Sequence, residues 1–303
     1  MSDKQKNLSK QARQTLARLT RALPNFRGLG RLYRALNSFF LKTGAPPIDV
    51  AHMSDGTRMV VDLRTWTEVQ PFYRGSYDQN ILSIIKSLID SSDWFFDVGA
   101  HIGFYSVPIA LHIKRNQGTG KVFSFEPHPN NFSRLSSNLS ENDLTDIATC
   151  WQIALSDKEA VVDLVMREDF DRGGSTGNAS VASAQSMDKG FQTTEVETTT
   201  LDKMSNQILS SGERVGFIKI DIEGHENQFF DGARRVIREH KPGMMMEINR
   251  RYYHERDIDP TEAIETRLPH FYRFFQVVDG ELIPRDTLAE LPDMSNAILL
   301  PAK

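Results

Sequence analysis

One turn in the sequence combines an acidic residue with two glycines in the spacing of a ligand-binding loop. Asp97 closes an apolar run and is followed by Gly99 and Gly103, which are four residues apart. Glycine allows the backbone a positive φ and lets a ligand and the next helix approach closely. The pattern predicts a strand–turn–helix unit in which N–H groups at the helix start face a nucleotide-like ligand at the carboxyl end of the strand.

The glycine spacing narrows the choice of ligand. The turn lacks the G-x-G-x-x-G of dinucleotide-binding loops and the G-K-[ST] ending of a P-loop. An acid two positions before the first glycine suits a cationic ligand better than a pyrophosphate. S-adenosylmethionine (SAM) carries an ammonium and a sulfonium but no phosphate, so SAM is the expected cofactor. The residues expected to hold it here are Asp97, Gly99, Ala100, His101, Gly103, Tyr105 and Ser106.

Two later strand ends are expected to complete this cofactor site. Glu126 ends the second strand pattern, 23 residues past Gly103, where a carboxylate can accept hydrogen bonds from both ribose hydroxyls. Pro127 stops that strand and is also expected at the cofactor. A third strand is predicted over residues 150–155, and strand three of such a sheet borders the adenine. Ala154, Leu155 and Ser156 are therefore expected to line the adenine pocket.

A second acidic cluster follows another buried strand pattern, at residues 215–220. Asp221, Glu223, His225 and Glu226 fall within six residues. The two-residue spacing of Asp221 and Glu223 lets one side chain face the ligand cleft while the other faces away. Carboxylates and a histidine at this position are candidates for proton transfer at a reacting group.

The elements that carry these residues alternate between strand and helix patterns. Helical patterns follow the predicted strands at residues 94–98, 121–125, 215–220 and 243–248, whereas the predicted strand at 150–155 is followed by a hairpin strand at 161–166. This alternation predicts a doubly wound, mostly parallel α/β sheet. The strands at residues 274–278 and 297–300 have no full helix pattern between them, so we expect the last strand to pair antiparallel.

The charge is distributed unevenly along the 303 residues. Residues 1–42 hold ten Lys or Arg and one acid, a net charge of +9, which leaves −13 for the rest of a chain of net charge −4. Two amphipathic helix patterns with basic polar faces occupy this stretch. We expect a helical arm over residues 1–43 and one α/β domain over residues 48–303, separated by a Gly-Ala-Pro-Pro linker.

Several partners are open for this basic arm. An anionic membrane surface would attract it, at about 1 kcal/mol for each basic residue near the headgroups. Packing on its own domain or on a second subunit is the alternative. Nucleic acid is not expected, because no recognition motif accompanies the charge. The sequence leaves the oligomeric state open.

Cysteine content and hydropathy bear on the compartment. The lone Cys150 excludes an internal disulfide and is typical of a reducing compartment. No apolar run reaches the roughly 18 residues of a membrane span, and the start of the chain lacks the apolar core of a signal peptide. We therefore expect a cytoplasmic protein, with peripheral attachment to the inner membrane surface if the arm binds lipid.

One polar stretch carries no periodic pattern. Residues 168–194 are rich in Gly, Ser and Thr. A stretch of this length without periodicity is either functional or disordered. We expect either a lid or acceptor-binding loop, or plain disorder.

Three ordered motifs resemble those of the FkbM family of SAM-dependent methyltransferases. They are FDVGAHIGFYS at residues 96–106, FEPHPNN at 125–131, and TLD at 200–202 followed by IKIDIEGHE at 218–226. The resemblance implies a Rossmann-like class I methyltransferase fold with a seven-stranded sheet, and methyl transfer from SAM to a hydroxyl. The acceptors that it implies are sugars, glycans or small metabolites. His101 departs from the family pattern, which usually has Asn there.

Methyl transfer to a hydroxyl needs a base that removes the acceptor proton. Asp221 is the first candidate, for this role or for contact with the ammonium of SAM. His225 is the second, because an imidazole titrates near neutral pH. Glu223 and Glu226 are expected to cap the following helix, where carboxylates are favoured, and Glu223 is also a catalytic candidate. A Mg²⁺ site formed by Asp221, Glu223 and Glu247 is a less favoured alternative.

Two other classes of function remain open on the same sheet. One is a nucleotide- or NAD-binding module, although the missing G-x-G-x-x-G argues against NAD. The other is a non-catalytic, membrane-recruited scaffold, which would bind SAM without transferring its methyl group.

Overall fold

The computed structural model describes residues 3–24, 26–166, 179–181, 192–209, 212–254 and 257–302. The chain divides into two compact units, the first ending at Gln79 and the second beginning at Asn80. The division into an arm over residues 1–43 and a domain over residues 48–303 stays a prediction.

The first unit is built from three helices and a hairpin. Its elements are α1 (Asp3–Thr20), α2 (Leu29–Lys42), β1 (Ile48–His52), β2 (Arg58–Asp62) and α3 (Trp66–Arg74). The two helices expected from the apolar spacing are present. Strands β1 and β2 pair antiparallel, as the Asp55-Gly56 turn between them predicts.

A buried arginine fixes α1 to the hairpin of this unit. Arg13 is fully buried, and its Nη2 lies 2.7 Å from Asp49 Oδ2 and donates to the carbonyl of Pro46. Further along α1, the hydroxyl of Thr20 donates to the carbonyl of Tyr73 in α3. One face of α1 is therefore packed on its own unit, which is one of the alternatives that the sequence left open.

The second unit contains the remaining twelve strands and eight α-helices of the described residues, with a short 3-10 helix at Leu288–Glu290. The strands are β3 (Trp94–Val98), β4 (Val122–Phe125), β5 (Ala148–Trp151), β6 (Ala154–Leu155), β7 (Ala160–Met166), β8 (Ala179–Val181), β9 (Gln192–Thr199), β10 (Val215–Ile220), β11 (Gly243–Asn249), β12 (Tyr272–Val278), β13 (Glu281–Arg285) and β14 (Met294–Pro301). The helices are α4 (Gln79–Leu88), α5 (Ser106–Arg115), α6 (Pro129–Glu141), α7 (Leu201–Ile208), α8 (Glu226–Gly232), α9 (Arg234–His240), α10 (Arg250–His254) and α11 (Pro260–Glu265).

The main sheet confirms the doubly wound α/β prediction. Its strand order is β13-β12-β14-β11-β10-β3-β4-β5. The five strands from β11 to β5 are parallel, and β14 runs antiparallel to both β11 and β12. The antiparallel last strand is therefore confirmed.

The sheet has eight strands rather than the seven expected. The additional strand, β13, pairs antiparallel with β12 at the edge of the sheet. Asp279 and Gly280 between them have φ values of 50° and 86°, the left-handed pair of a two-residue hairpin turn. The Asp279-Gly280 turn reverses the chain direction immediately after β12.

The strand expected over residues 150–155 is divided between two sheets. β5 ends at Trp151 in the main sheet, whereas β6 pairs in parallel with β9 in a four-stranded sheet of order β6-β9-β7-β8. Within the stretch expected as a loop, residues 179–181 and 192–194 are strand. Residues 167–178 and 182–191 lie outside the described part, so the expectation of a lid or acceptor loop there stays a prediction.

The core of the second unit lies between the main sheet and the helices. Phe96, Ile218 and Met244 come from three adjacent strands and belong to one buried cluster with Phe229 and Phe230 of α8. This packing fixes the carboxyl ends of the strands, from which the site residues emerge. No helix of the described residues is both long and apolar enough to cross a bilayer.

Candidate cofactor and active site

The turn after β3 is packed directly against the turn after β10. Gly99 has φ 74°, and a Cβ atom there would lie 1.9 Å from the backbone oxygen of Asp221. The Asp221 N–H donates to the carbonyl of Val98, and the N–H groups of Gly99 and Ala100 both donate to the carbonyl of Phe125 at the end of β4. Glycine is therefore required where the ends of these strands meet.

Gly103 brings the next helix close to the turn. Its φ is 95°, and a Cβ atom would lie 3.2 Å from Val107 Cγ2 of that helix, α5, and 2.8 Å from Leu135 Cδ1 of α6. The predicted roles of Gly99 and Gly103 in close backbone approach thus agree with their surroundings. Their contact with a cofactor stays a prediction.

Glu126 is joined to the glycine turn by its carboxylate. Its Oε2 accepts from the His101 N–H at 2.8 Å, and its Oε1 accepts from the His128 N–H at 2.9 Å. Burial raises the pKa of Glu126 to about 7, against the opposing effect of these two donors. Each carboxylate oxygen can accept more than one hydrogen bond. Glu126 therefore keeps acceptor capacity for the hydroxyls of a ribose.

His101 has a backbone conformation that explains the residue preference at this position. Its φ is 51°, in the left-handed region that Asn, Asp and His adopt more readily than other non-glycine residues. Burial, with smaller effects of Arg134, Lys219 and His128, lowers the pKa of His101 well below its usual value. The imidazole is therefore neutral at pH 7, and its backbone N–H holds Glu126.

A buried lysine connects an acid near the end of β3, Asp97, with the acid that follows β10, Asp221. Asp97 and Lys219 are register partners on these adjacent strands. Lys219 Nζ lies 3.3 Å from Asp97 Oδ1 and 3.6 Å from Asp221 Oδ2, and it donates to the carbonyl of Gly99 at 2.7 Å. Burial alone would lower the pKa of Lys219, but the two carboxylates outweigh it and the pKa is raised.

Sequence reasoning missed Lys219. Its signal is a single charged residue inside the otherwise apolar strand VGFIKI of β10, at residues 215–220. A lysine in a fully buried strand needs a charged partner. Asp97 and Asp221 could have been recognised as its partners from the parallel pairing of β3 and β10.

Ser106 and Tyr105 act on the same cluster from the start of α5. The Ser106 hydroxyl donates to Asp97 Oδ2 at 2.6 Å and lies 2.7 Å from the hydroxyl of Ser124 on β4. The ring of Tyr105 lies 5.5 Å from Lys219 Nζ, within the range of a cation–π contact. Because Asp97 and Ser106 are fully buried, these contacts orient the cluster from inside the fold.

The imidazole of His225 is hydrogen-bonded to the hydroxyl of Ser156. His225 Nε2 lies 2.9 Å from the Ser156 hydroxyl, and both side chains are buried. The structure thus joins a residue expected at the adenine with one expected at the reacting group. Of the other two residues predicted at the adenine, Ala154 is buried and Leu155 belongs to the main apolar cluster.

Glu226 lies in the first turn of α8, as expected, but its side chain is held by two other groups. It accepts from the Gly224 N–H and from the Tyr253 hydroxyl of α10. Burial raises the pKa of Glu226.

The two remaining predicted site residues are partly exposed. Glu223 is half-buried in the loop before α8, with φ 55°. Pro127 is half-buried directly after Glu126.

No group of three or more His, Cys, Asp or Glu is arranged to hold a metal ion in the described part of the chain. Asp221 and Glu223 lie in the turn after β10, and Glu247 lies within β11, paired with Asn296 of β14. The chemistry available at the glycine turn is therefore that of carboxylates and one ammonium. Two carboxylates share Lys219 and a third, Glu126, lies beside them. This acidic excess fits a cationic cofactor such as SAM.

The sheet order, the glycine turn after β3 and the acid after β4 define a Rossmann-like class I methyltransferase fold. The sequence profile of the methyltransferase FkbM domain matches residues 97–278, which is more than half of the chain. The chain belongs to this FkbM family of SAM-dependent methyltransferases. The family and the cofactor expected from the sequence are thereby confirmed.

Comparison with solved structures gave matches at low identity. A methyltransferase FkbM from Methylobacillus flagellatus is 19% identical, with a TM-score of 0.45, over 96% of this chain and 58% of that chain. A tRNA (uracil-54, C5)-methyltransferase from Pyrococcus abyssi, in complex with S-adenosyl-L-homocysteine, is 13% identical, with a TM-score of 0.42, over 84% and 45%. A SAM-dependent O-methyltransferase from Thermotoga maritima is 14% identical, with a TM-score of 0.40, over 88% and 82%.

The chain thus spans less than two thirds of the first two of these proteins. Comparison with curated proteins gave no significant match. The family assignment therefore rests on the profile match, and the fold on the sheet described above.

Proposed function

We propose that the protein transfers the methyl group of SAM to a hydroxyl of a sugar, a glycan or a small metabolite. The observation that supports this most directly is the difference between the two acids that share Lys219. The side chain of Asp97 is fully buried, whereas that of Asp221 is 27% exposed. Asp221 is thus the carboxylate that an acceptor can reach.

In this proposal, different residues of the site bind the cofactor, accept the proton and orient the carboxylates. The turn from Asp97 to His101 and the carboxylate of Glu126 hold the cofactor, which supplies a methyl group on a positively charged sulfur. Asp221 accepts the proton of the acceptor hydroxyl as the oxygen attacks. Lys219 orients Asp221 and Asp97 from the interior, and holding the acceptor oxygen near the methyl group accounts for much of the rate.

His225 is the second candidate for the base. Its Nε2 is engaged with Ser156, and the imidazole is buried. A proton acceptor at this position would first have to leave Ser156. Asp221 needs no such rearrangement, and this favours it over His225.

Radiolabelled methyl transfer tests the proposal. The purified protein is incubated with SAM carrying a labelled methyl group and with glycan and small-molecule extracts as acceptors. Asp221→Asn should reduce turnover by roughly 100-fold or more while SAM still binds, because a general base contributes about 10²–10⁴-fold. Asp163→Asn, at an exposed position on β7, is the matched control and should keep full turnover. Unchanged turnover in Asp221→Asn would show that another residue is the base.

Calorimetry separates this function from the two alternatives. A nucleotide- or NAD-binding module would bind NAD in preference to SAM, which family membership argues against. A non-catalytic scaffold would bind SAM and transfer its methyl group to no hydroxylated acceptor. Binding of SAM together with label in an acceptor fraction excludes both.

A second role concerns the first unit. We propose that the outer face of α1 and α2 binds an anionic membrane surface. Large apolar side chains are exposed there, with fractional exposures of 68% for Leu8, 64% for Leu19 and 59% for Phe39. The exposed basic residues of the same stretch are Lys4, Lys6, Arg18, Arg27, Arg31, Arg34 and Lys42. Apolar insertion next to basic side chains is the pattern of interfacial helices.

Vesicle co-sedimentation tests this second role. The full chain should bind vesicles containing phosphatidylglycerol and not vesicles of phosphatidylcholine alone. Leu8→Ser combined with Leu19→Ser should weaken this binding. Val161→Ser, an equally exposed apolar side chain on β7, should not. Binding that is indifferent to lipid charge, or to Leu8 and Leu19, would refute the membrane role.

A further inference from the structure

A basic cavity lies beside the candidate active site, at the end of β11. It has a volume of about 490 Å³. Its lining residues are Asn249, Arg250, Arg251, His254, Asp293 and Met294. Asn249 ends β11 and is the register partner of Met294 at the start of the antiparallel strand β14. We call this space the arginine cavity.

The arginine cavity opens at the same edge of the sheet as Asp221. β10 and β11 are parallel neighbours in which Ile220 pairs with Met246, so the residues that follow both strands emerge at one edge. Adjacent strands are about 4.8 Å apart. The hydrogen bond from the Tyr253 hydroxyl to Glu226 ties α10, which carries the arginines, to the segment after Asp221.

The cavity is separate from the glycine turn. That turn follows β3, and β10 lies between β3 and β11 in the sheet. Glu126 follows β4, one strand further away. The cofactor is therefore expected on one side of Asp221 and the arginine cavity on the other, so an acceptor that reaches Asp221 from the side away from the cofactor would pass the cavity.

The charge of the cavity lining is opposite in sign to the net charge of the chain after residue 42. Among the residues that the structure describes, two arginines, a histidine and one acid line it, whereas the chain after residue 42 carries a net charge of −13. Arg250 Nη2 donates to the carbonyl of Leu288 at 2.7 Å, and the Arg250 N–H donates to the carbonyl of Asp293. These bonds orient Arg250, and with the described residues they use one of the five N–H donors of its guanidinium. Arg251 is exposed beside it.

We propose that the arginine cavity binds an anionic group of the methyl acceptor, so that the acceptor is an acidic hydroxylated molecule. This inference rests on the proposed methyl transfer. A phosphate or a carboxylate offers the paired oxygens that a guanidinium binds. The anionic group anchors the acceptor while one of its hydroxyls lies at Asp221.

Three sugars that share a ring and differ in charge provide the test. The protein, saturated with S-adenosylhomocysteine, is titrated by calorimetry with glucose 6-phosphate, glucuronate and glucose. At least one charged sugar should bind about tenfold or more tightly than glucose, the size of effect expected for charge-assisted hydrogen bonds. The phosphate and carboxylate arms identify which anion is preferred.

Variants assign the effect to the cavity. Arg251→Ala should remove the preference for the charged sugar, and Arg251→Lys should restore part of it. Arg238→Ala, at an exposed position on α9 before the opposite end of β11, is the matched control and should keep the preference. The affinity for SAM should be the same in all variants.

The outcomes separate this inference from the proposed function. Equal or undetectable binding of all three sugars overturns the anionic subsite, whatever the protein does with SAM. A preference that survives Arg251→Ala, or a loss of SAM affinity in that variant, also overturns it. Intact charged-sugar binding without methyl transfer to any hydroxylated acceptor would instead contradict the proposed function and leave the subsite standing.

Discussion

Lys219 Nζ lies 3.3 Å from Asp97 Oδ1, and both side chains are buried within the parallel strands that carry the site. An ion pair of this kind is costly to break, because removing one partner leaves an uncompensated charge in the interior. Lys219→Met should therefore destabilise the fold by about 3–5 kcal/mol, as measured by urea unfolding. Lys203→Met, which removes an exposed pair with Glu159, should change stability by less than about 1 kcal/mol. Similar losses for the two variants would contradict the assignment.

The raised pKa of Glu126 predicts that the affinity for SAM depends on pH. Its pKa of about 7 means that the carboxylate, the form that accepts ribose hydroxyls, is largely ionised only above neutral pH. Affinity should increase roughly tenfold between pH 6 and pH 8, and binding near pH 7 should release protons. Calorimetry in buffers of different ionisation enthalpy measures both. The neighbouring His101 and His128 have lowered pKa values and Lys219 a raised one, so they do not account for a transition near pH 7.

Two glutamine variants control this pH experiment. Glu126→Gln should flatten the pH profile and weaken SAM binding. Glu226→Gln should keep the profile, although burial raises the pKa of Glu226 as well. The effect of pH on folding stability through Glu126 is opposite in sign to its effect on SAM affinity. Glu126 has its usual pKa of 4.5 when unfolded, so its contribution to stability is greatest below about pH 4.5 and is lost as the pH rises through about 7.

Gly99→Ala should abolish SAM binding and destabilise the protein. A Cβ atom at Gly99 would collide with the Asp221 backbone oxygen, so the two turns would have to separate. Gly212→Ala separates this clash from backbone strain, since Gly212 has φ 96° but no atom within 4 Å of the added carbon. Gly212→Ala should cost only about 1–2 kcal/mol, the strain of a left-handed alanine. Differential scanning calorimetry and SAM titration measure both variants, and equal effects would refute the clash.

His101→Asn should keep SAM affinity and stability at least at their present level. Asn adopts the left-handed conformation of this position readily, and its N–H can still donate to Glu126. His101→Val should weaken both, since a β-branched residue is strained at φ 51°. A His101→Asn variant with strongly reduced SAM affinity would show that the imidazole itself contacts the cofactor.

Chelation tests the magnesium alternative. Asp221, Glu223 and Glu247 do not form a metal-binding group in the described residues. We expect EDTA to leave methyl transfer unchanged. Loss of transfer that Mg²⁺ restores would require a metal site formed with the acceptor.

Local sequence signals predicted the fold well where spacing determines the element. The glycine turn, the acid after β4 and the alternation of strands and helices depend on neighbouring residues, and all three are present in the structure. The edge strand β13 was missed, although Asp279-Gly280 is a recognisable hairpin turn. The strand predicted over residues 150–155 was divided because β6 pairs with β9, some 40 residues later in the chain.

Contacts between distant residues explain what the sequence did not predict in the site. Lys219 is 122 residues from Asp97, and only the parallel pairing of β3 with β10 brings them together. His225 and Ser156 are 69 residues apart in the chain, and they meet just after β6 of the four-stranded sheet. The arginine cavity depends on the register of β11 with β14, which no short motif encodes.

The buried pair of Arg13 and Asp49 has a consequence for how the amino-terminal helices can be studied. A chain shortened to begin after residue 42 would leave the Asp49 carboxylate enclosed without its guanidinium, and the exposed remnant of the hairpin would be prone to unfold or aggregate. Truncation would therefore confound loss of lipid affinity with loss of folding. Helix α1 is a packed part of the first unit and cannot be removed without disturbing that unit. Its exposed face therefore has to be altered one side chain at a time.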